Sequence, residues 1–136
     1  MSFEIKALDH VSIIVKDVDA SRKFYCGVFG MEEVERPKNF TFDGAWFRKG
    51  GAEIHLVTED EAVQAPGDSA NNPTEKRDLT FARHFALQIN DMDGLVDALK
   101  EHDMELVFGP RQRGDGPLQA YIYDPDGHMI EITEKP

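Results

Sequence analysis

The sequence has little cysteine, no long apolar run and a shortage of positive charge, and each absence excludes a class of protein. The single cysteine, Cys26, cannot form an internal disulfide, and no N-terminal apolar run resembles a signal peptide or a membrane span. Lys and Arg number 15 against 26 Asp and Glu, a formal net charge of −11. Nucleic-acid binding neutralises phosphates with basic side chains, so this balance argues against it. We therefore expect a soluble, cytoplasmic protein with neither a nucleic-acid nor a membrane partner.

The chain does contain an internal duplication. His84 follows His10 by 74 residues, and Glu131 follows His55 by 76 residues. Between these anchors, the stretches MEEVERPK and MELVFGPR share four of eight positions. A nearly constant offset indicates that one supersecondary unit is built twice, with small loop insertions and deletions.

The length of 136 residues fits one domain, and each half alone would be marginal. We predict a single domain made of a module over 7–58, a linker over 59–80 and a module over 81–134. The linker is polar and rich in Pro, Asn, Asp and Gly, and it is long for a compact domain. It is either a flexible connector, a lid over a site, or the crossover of a swapped dimer.

Hydrophobic periodicity predicts the order βαβββ in each module. Asp19 and Asp93 are the predicted N-caps of the two helices, since a short polar side chain is favoured there. The first helix is predicted over 20–29, and the second runs to about residue 102. The predicted strands cover residues 7–15, 32–36, 45–49 and 52–58 in the first module, and 105–108, 118–123 and 128–133 after the helix of the second module.

Strand parity indicates a metal site. Alternation places His55 and Glu131 on the strand face opposite their apolar neighbours, and His84 lies likewise opposite Phe85 and Leu87. Two imidazoles and a carboxylate on rigid strands are typical ligands of a divalent transition metal. We predict His10, His84 and Glu131 as ligands; the alternative is that they are buried structural polar groups.

His55 is predicted as the fourth ligand because it matches Glu131 in the repeat. It could instead orient a ligand or contact the substrate, with Glu53, on the same face, replacing it at the metal. His128, at odd spacing from Glu131, is expected to point outward. His102 lies near the end of the second helix, where an imidazole can cap carbonyl groups.

These residues resemble the vicinal oxygen chelate superfamily, which includes glyoxalase I, bleomycin-resistance proteins, fosfomycin-resistance thiol transferases and extradiol dioxygenases. The stretches LDHVSIIVKDVDASRKFYCGVFGM, ARHFALQIND and YIYDPDGHMIEI carry the resemblance over nearly the whole chain. It implies an α+β fold in which two tandem βαβββ modules form a curved mixed sheet around a metal site. The chain looks like the generic glyoxalase-like branch.

The resemblance implies that the family's metal ligands fall on His10, His84 and Glu131. The fourth position, often Glu or Gln in glyoxalase- and epimerase-like members, is His55, and this departure weakens a specific glyoxalase assignment. Such a site chelates adjacent oxygens of a small substrate and stabilises the enediolate or oxyanion that develops. The candidates for moving the proton are Glu131, His55 and a metal-bound water.

The pocket wall is predicted to include Ser12, two residues beyond His10, and the repeat-equivalent pair Trp46 and Tyr121. These three could equally be ordinary packing or surface residues. Four arginines could bind a substrate carboxylate or phosphate, or pair with acidic side chains on the surface: Arg48, Arg83, Arg111 and Arg113.

Two classes of function follow. The first is a divalent-metal-dependent lyase, isomerase or thiol transferase, using Zn, Ni, Mn, Fe or Co and possibly a thiol co-substrate, with an extradiol dioxygenase as a variant. The second is a metal-free protein that binds a small molecule or drug, as bleomycin-resistance proteins do. The retained ligand set favours the enzyme. A half-open site with a long linker also suggests a homodimer.

Overall fold

The computed structural model describes residues 2–66 and 83–136, and most of the predicted linker lies outside these ranges. The first helix, α1 (Val18–Arg22), continues as a π-helix over Lys23–Val28, and the second is α2 (Met92–Glu101). No helix in the described ranges is long and apolar enough to cross a membrane. The strands are β1 (Val11–Val15), β2 (Glu32–Val34), β3 (Gly44–Lys49), β4 (Ala52–Thr58), β5 (His84–Gln88), β6 (Phe108–Gln112), β7 (Leu118–Tyr123) and β8 (Met129–Glu134).

The strands form two four-stranded sheets with the same topology. Their orders are β1-β4-β3-β2 and β5-β8-β7-β6. In each sheet the first and last strands of the module pair in parallel, and the remaining pairs are antiparallel. The predicted α+β fold with two βαβββ modules is therefore confirmed.

Both helices begin two residues earlier than predicted, and the N-caps predicted at Asp19 and Asp93 were wrong. Asp17 accepts a 2.9 Å hydrogen bond from the backbone N–H of Asp19, and Asp91 accepts one of 3.0 Å from Gly94. Both caps have extended backbone, as an N-cap requires. The predicted caps lie inside the first turns, where a carboxylate still favours the helix dipole.

Two predicted strands, β1 and β6, had limits that differ from the structure by more than two residues. Strand β1 begins at Val11, opposite Ile54, and β4 begins only at Ala52, so the residues before Asp9 have no partner on β4. Strand β6 was predicted over 105–108, before Gly109 and Pro110, which are both unfavourable in a strand interior. It instead covers Phe108–Gln112, with a register irregularity at the Gly-Pro pair, on a sheet edge where the missing proline N–H breaks no ladder bond.

The core lies between the sheets and the helices and draws on both modules. Ile54 and Leu56 of β4 and Ile130 and Ile132 of β8 are at most 1% exposed. They belong to one cluster with apolar residues of both helices, including Phe24, Leu95 and Leu99. The odd positions of β4 and β8, which carry His55 and Glu131, consequently face away from the helices.

Three buried or half-buried polar contacts also join the modules, and we call them the module junction. The hydroxyl of Tyr25 donates a 2.7 Å hydrogen bond to Asp124, and the backbone N–H of Lys16 donates one of 2.8 Å to Asp126. His128 Nε2 lies 2.7 Å from the carbonyl oxygen of Ile14, which can only accept, so His128 donates. The expectation that His128 points outward was therefore wrong.

Candidate metal centre

The first module presents a stack of three rings. The ring of His10, which precedes β1, lies 3.9 Å from that of His55 at an interplanar angle of 20°. The opposite neighbour of His55 is Trp46, 3.8 Å away and parallel within 1°. Trp46 and His55 face each other across β3 and β4, and Ser12 is the register partner of His55 on β1. Antiparallel and parallel pairing of three strands thus brings these side chains together.

His55 is held by a carboxylate. Its Nε2 lies 2.7 Å from Glu53 Oε2, and Arg48 Nε donates to the other oxygen of Glu53 at 2.5 Å. The hydrogen bonds from His55 and then from Arg48 lower the pKa of Glu53. An ionised carboxylate only accepts, so Nε2 carries the proton and Nδ1 is the nitrogen able to bind a proton or a metal. Glu53, predicted as a substitute ligand, is here the partner of His55.

The stacking also constrains the ligand hypothesis. The nitrogen lone pairs of an imidazole lie in the plane of its ring. Two nearly parallel rings 3.9 Å apart, those of His10 and His55, therefore direct their lone pairs side by side and not toward one point. In this arrangement His55 packs against His10, and joint ligation of one metal would require a ring to rotate.

The second module presents a carboxylate in the position equivalent to His55. Glu131 faces Tyr121 across β7 and β8, as His55 faces Trp46. It is 6% exposed, and its Oε1 accepts hydrogen bonds from the Tyr121 hydroxyl at 2.8 Å and from Gln119 Nε2 at 3.2 Å. The ring of His84 lies edge-on to that of Tyr121, with centroids 5.6 Å apart.

Two contacts of Glu131, from Gln119 and from Arg113, were not predicted from the sequence. Arg113 Nη1 lies 3.5 Å from Glu131 Oε2, while its Nε and Nη2 donate to Asp115. Gln119 could have been found, because alternation places it on the same face of β7 as Tyr121. Arg113 lies beyond β6, in the turn before β7, where alternation gives no direction.

Other candidate side chains have structural partners. Arg48 pairs with Glu53, as above, and Arg111 donates a 2.9 Å hydrogen bond to Gln119 and lies over the ring of Phe108. His102 Nδ1 lies 2.8 Å from the carbonyl oxygen of Ala98, as expected for an imidazole that caps a helix end. These contacts favour the structural interpretation of Arg48 and His102.

The four predicted ligands form two half-sites, which we define as His10 with His55 and His84 with Glu131. Among residues 2–66 and 83–136, no three His, Cys, Asp or Glu side chains are grouped closely enough to hold a metal ion. The chemistry of the donors fits a divalent transition metal, since imidazole nitrogens and a buried carboxylate are its usual ligands. Each half-site alone has too few of them.

A cavity of about 870 Å³ lies between the modules beside the first half-site. Its wall includes His10 and Glu53 on one side and Phe85 to Gln88 of β5 on the other, whereas His55, His84 and Glu131 do not line it. Strand β5 pairs only with β8, so its outer edge borders this cavity. The cavity has the size of a small-molecule site.

Comparison with known proteins identifies relatives along the whole chain. Residues 7–132 match the model of the Glyoxalase/Bleomycin resistance protein/Dioxygenase superfamily. The chain is 33% identical over 129 residues to glyoxylase I 4 of Arabidopsis thaliana, covering 94% of this chain and 70% of that protein. It is 28% identical to the fosfomycin resistance protein FosX of Listeria innocua, covering 94% and 89% of the two chains. A crystal structure of a glyoxalase family protein from Bacillus anthracis superposes with a TM-score of 0.78 at 25% identity, covering all of both chains.

Proposed function

Because this chain belongs to the glyoxalase, bleomycin resistance protein and dioxygenase superfamily, we propose that it is a divalent-metal-dependent enzyme acting on a small molecule with two adjacent oxygens. The reaction class is that of a lyase, an isomerase or a thiol transferase. Relatives named as a glyoxylase and as a fosfomycin resistance protein support this range. The ligands are His10, His84 and Glu131, with Zn, Ni, Mn, Fe or Co as the metal.

One observation carries the proposal: the two modules present ligand-type side chains at the same register position. His55 opposite Trp46 and Glu131 opposite Tyr121 are related by the duplication, and each lies on the strand face that turns away from the helices. A purely structural role would not require polar ligand types at both positions, with apolar neighbours filling the core on either side.

We further propose that the active form is a homodimer, in which the first half-site of one chain meets the second half-site of its partner. Support comes from the separation of the half-sites within the described part of one chain. The N-terminal segment adds to it, since Phe3, Ile5 and Leu8 are each at least 67% exposed. Burial of such side chains is a driving force for association.

The metal, when bound, would supply Lewis-acid stabilisation of negative charge on the chelated substrate oxygens. The protein's own residues orient the ligands and move the proton. Tyr121 and Gln119 fix the carboxylate of Glu131 through Oε1. His55, held through Nε2 by Glu53, keeps Nδ1 for proton transfer, and this is the role we assign to it. Trp46 and Tyr121, which lie beside His55 and Glu131, are the side chains to which we assign contact with a metal-bound substrate.

Metal content per chain tests the proposal. Protein purified without chelators and without a histidine tag is measured by elemental analysis, together with His84→Ala and Glu131→Gln. His102→Gln is the matched control, because that imidazole bonds only within its own helix end among the described contacts. We expect about one transition metal per chain in the wild type and the control, and its loss in both ligand variants. No metal in any of the four, even after reconstitution, would exclude a metal-dependent enzyme.

The second candidate is a metal-free protein that binds a small molecule. The cavity of about 870 Å³, with a largely apolar wall that includes His10, favours this alternative. The metal-free alternative predicts that the small molecule still binds after chelator treatment and in His84→Ala. The enzyme proposal predicts that substrate turnover is lost after chelator treatment and in His84→Ala.

A further inference from the structure

We propose that Arg113 competes with the metal for Glu131 and thereby sets the metal affinity of the site. The inference rests on the proposed function, since it assumes that Glu131 is a ligand. It makes Arg113 a positioning residue, which acts through Glu131.

The two oxygens of Glu131 have different partners. Oε1 accepts the hydrogen bonds of both Tyr121 and Gln119 and is therefore fixed in the protein. Oε2 lies 3.5 Å from the guanidinium of Arg113. A metal bound by this carboxylate would take Oε2, the oxygen without those two donors. The guanidinium and the metal are both cations, and they require the same atom.

Asp115 limits how strongly Arg113 can hold Glu131. The guanidinium donates to both oxygens of Asp115, from Nε at 2.5 Å and from Nη2 at 2.8 Å, which leaves Nη1 for Glu131. The backbone of this hairpin is closed by hydrogen bonds from Arg113 to Pro117 at 2.7 Å and from Gly116 to Arg113 at 2.9 Å. The Arg113 side chain is 33% exposed, so it can move while the backbone stays in place. One cation is thus shared between two carboxylates.

Opposite effects on metal affinity follow from this sharing. Arg113→Gln removes a positive charge beside Oε2 and should tighten metal binding about three- to tenfold, the size expected for one charge near a partly exposed site. Asp115→Asn frees Arg113 to pair fully with Glu131 and should weaken binding by a similar factor. Loss of hairpin structure would weaken binding in both variants.

The test is calorimetric titration of the tag-free 136-residue chain with Ni²⁺ alone after chelator treatment and dialysis. Wild type, Arg113→Gln, Asp115→Asn and the double variant are compared, with Arg113→Lys as the charge-conserving control and His84→Ala to define the site. In the double variant residue 115 has no arginine to restrain, so we expect the metal affinity of that variant to match that of Arg113→Gln. Circular dichroism spectra verify that each variant is folded.

The outcomes separate this inference from the proposed function. Tighter binding in Arg113→Gln, weaker binding in Asp115→Asn and near wild-type binding in Arg113→Lys would support it. Unchanged or weaker binding in Arg113→Gln, with Ni²⁺ still bound by wild type and lost in His84→Ala, would overturn this inference alone. Equal affinities of Arg113→Lys and Arg113→Gln would overturn it as well, because charge would then not be the cause. Absence of Ni²⁺ binding by the wild type would overturn both.

Discussion

The hydroxyl of Tyr121 donates a 2.8 Å hydrogen bond to Oε1 of Glu131, and both side chains are buried on facing positions of β7 and β8. This contact fixes the orientation of the only carboxylate among the four predicted ligands. The equivalent pair in the first module, Trp46 and His55, is joined by ring stacking. The duplication has kept the position of the ligand-type side chain but not its partner. A stacked ring holds His55, whereas a hydrogen bond holds Glu131.

Tyr121→Phe should weaken metal binding about tenfold, because partners that orient a metal ligand typically contribute that much to affinity. Gln119 would then be the remaining donor to Oε1. Calorimetric titration with Ni²⁺ measures the effect. Tyr123→Phe is the matched control on the same strand, since the buried hydroxyl of Tyr123 has no hydrogen-bond partner in the described structure. Equal affinities of Tyr121→Phe and wild type would show that the hydrogen bond does not orient the carboxylate for the metal.

Trp46 is the only tryptophan of the chain and should report metal binding directly. Its ring stacks on His55, which stacks on His10, so a metal bound by His10 lies close to the indole. We expect Ni²⁺ to quench Trp46 fluorescence, and the titration should reach its end point at about one ion per chain. Zn²⁺, which has a filled d shell, should compete with Ni²⁺ and leave the emission largely intact. If Ni²⁺ binds by calorimetry without any change in emission, the metal lies away from the stack.

The fold could be predicted further than the site. Alternation correctly placed Ile54 and Leu56 in the core and His55 on the opposite face, because side chains two residues apart on a strand point to the same face of the sheet. The partners of the ligands could not be predicted in this way. Glu53 binds His55 from the same strand, and Arg113 contacts Glu131 from a turn. Both contacts depend on side-chain length, and the second depends also on the path of the loop. Nor does any sequence pattern tell whether the two half-sites of one chain meet.

The helix caps test the part of the fold for which the sequence prediction was wrong. Asp91 caps α2 by accepting a hydrogen bond from the Gly94 N–H, whereas Asp93 lies within the first turn. Asp91→Ala should therefore lower the free energy of unfolding by about 1 kcal/mol. Asp93→Ala should lower it by less, about 0.3 kcal/mol, because the exposed Asp93 carboxylate interacts only with the helix dipole. Urea unfolding of the two variants measures the difference. A larger loss of unfolding free energy in Asp93→Ala than in Asp91→Ala would show that Asp93 is the N-cap, as predicted from the sequence.

The module junction should make stability depend on alkaline pH through Tyr25. Burial, the charge of Asp124 and the hydrogen bond to it raise the pKa of Tyr25 well above its ordinary value of 10.0. The unfolded chain therefore loses this proton at a lower pH than the folded chain does. The stabilisation is fully present below pH 10.0 and declines as pH rises from there toward the folded pKa.

Tyr25→Phe should lower the free energy of unfolding by about 1–3 kcal/mol at pH 7, because Asp124 Oδ2 is left buried without its donor. Above pH 10.0 wild type should lose the advantage that Tyr25 gives it, so the curves of wild type and Tyr25→Phe should converge as pH rises. Urea unfolding from pH 7 to 11 measures both effects. Tyr123→Phe serves again as the control, since its unpartnered hydroxyl predicts no comparable loss at pH 7. Curves for wild type and Tyr25→Phe that stay parallel over the whole range would mean that the Tyr25 proton does not couple to folding, and the junction would then stabilise the fold through packing alone.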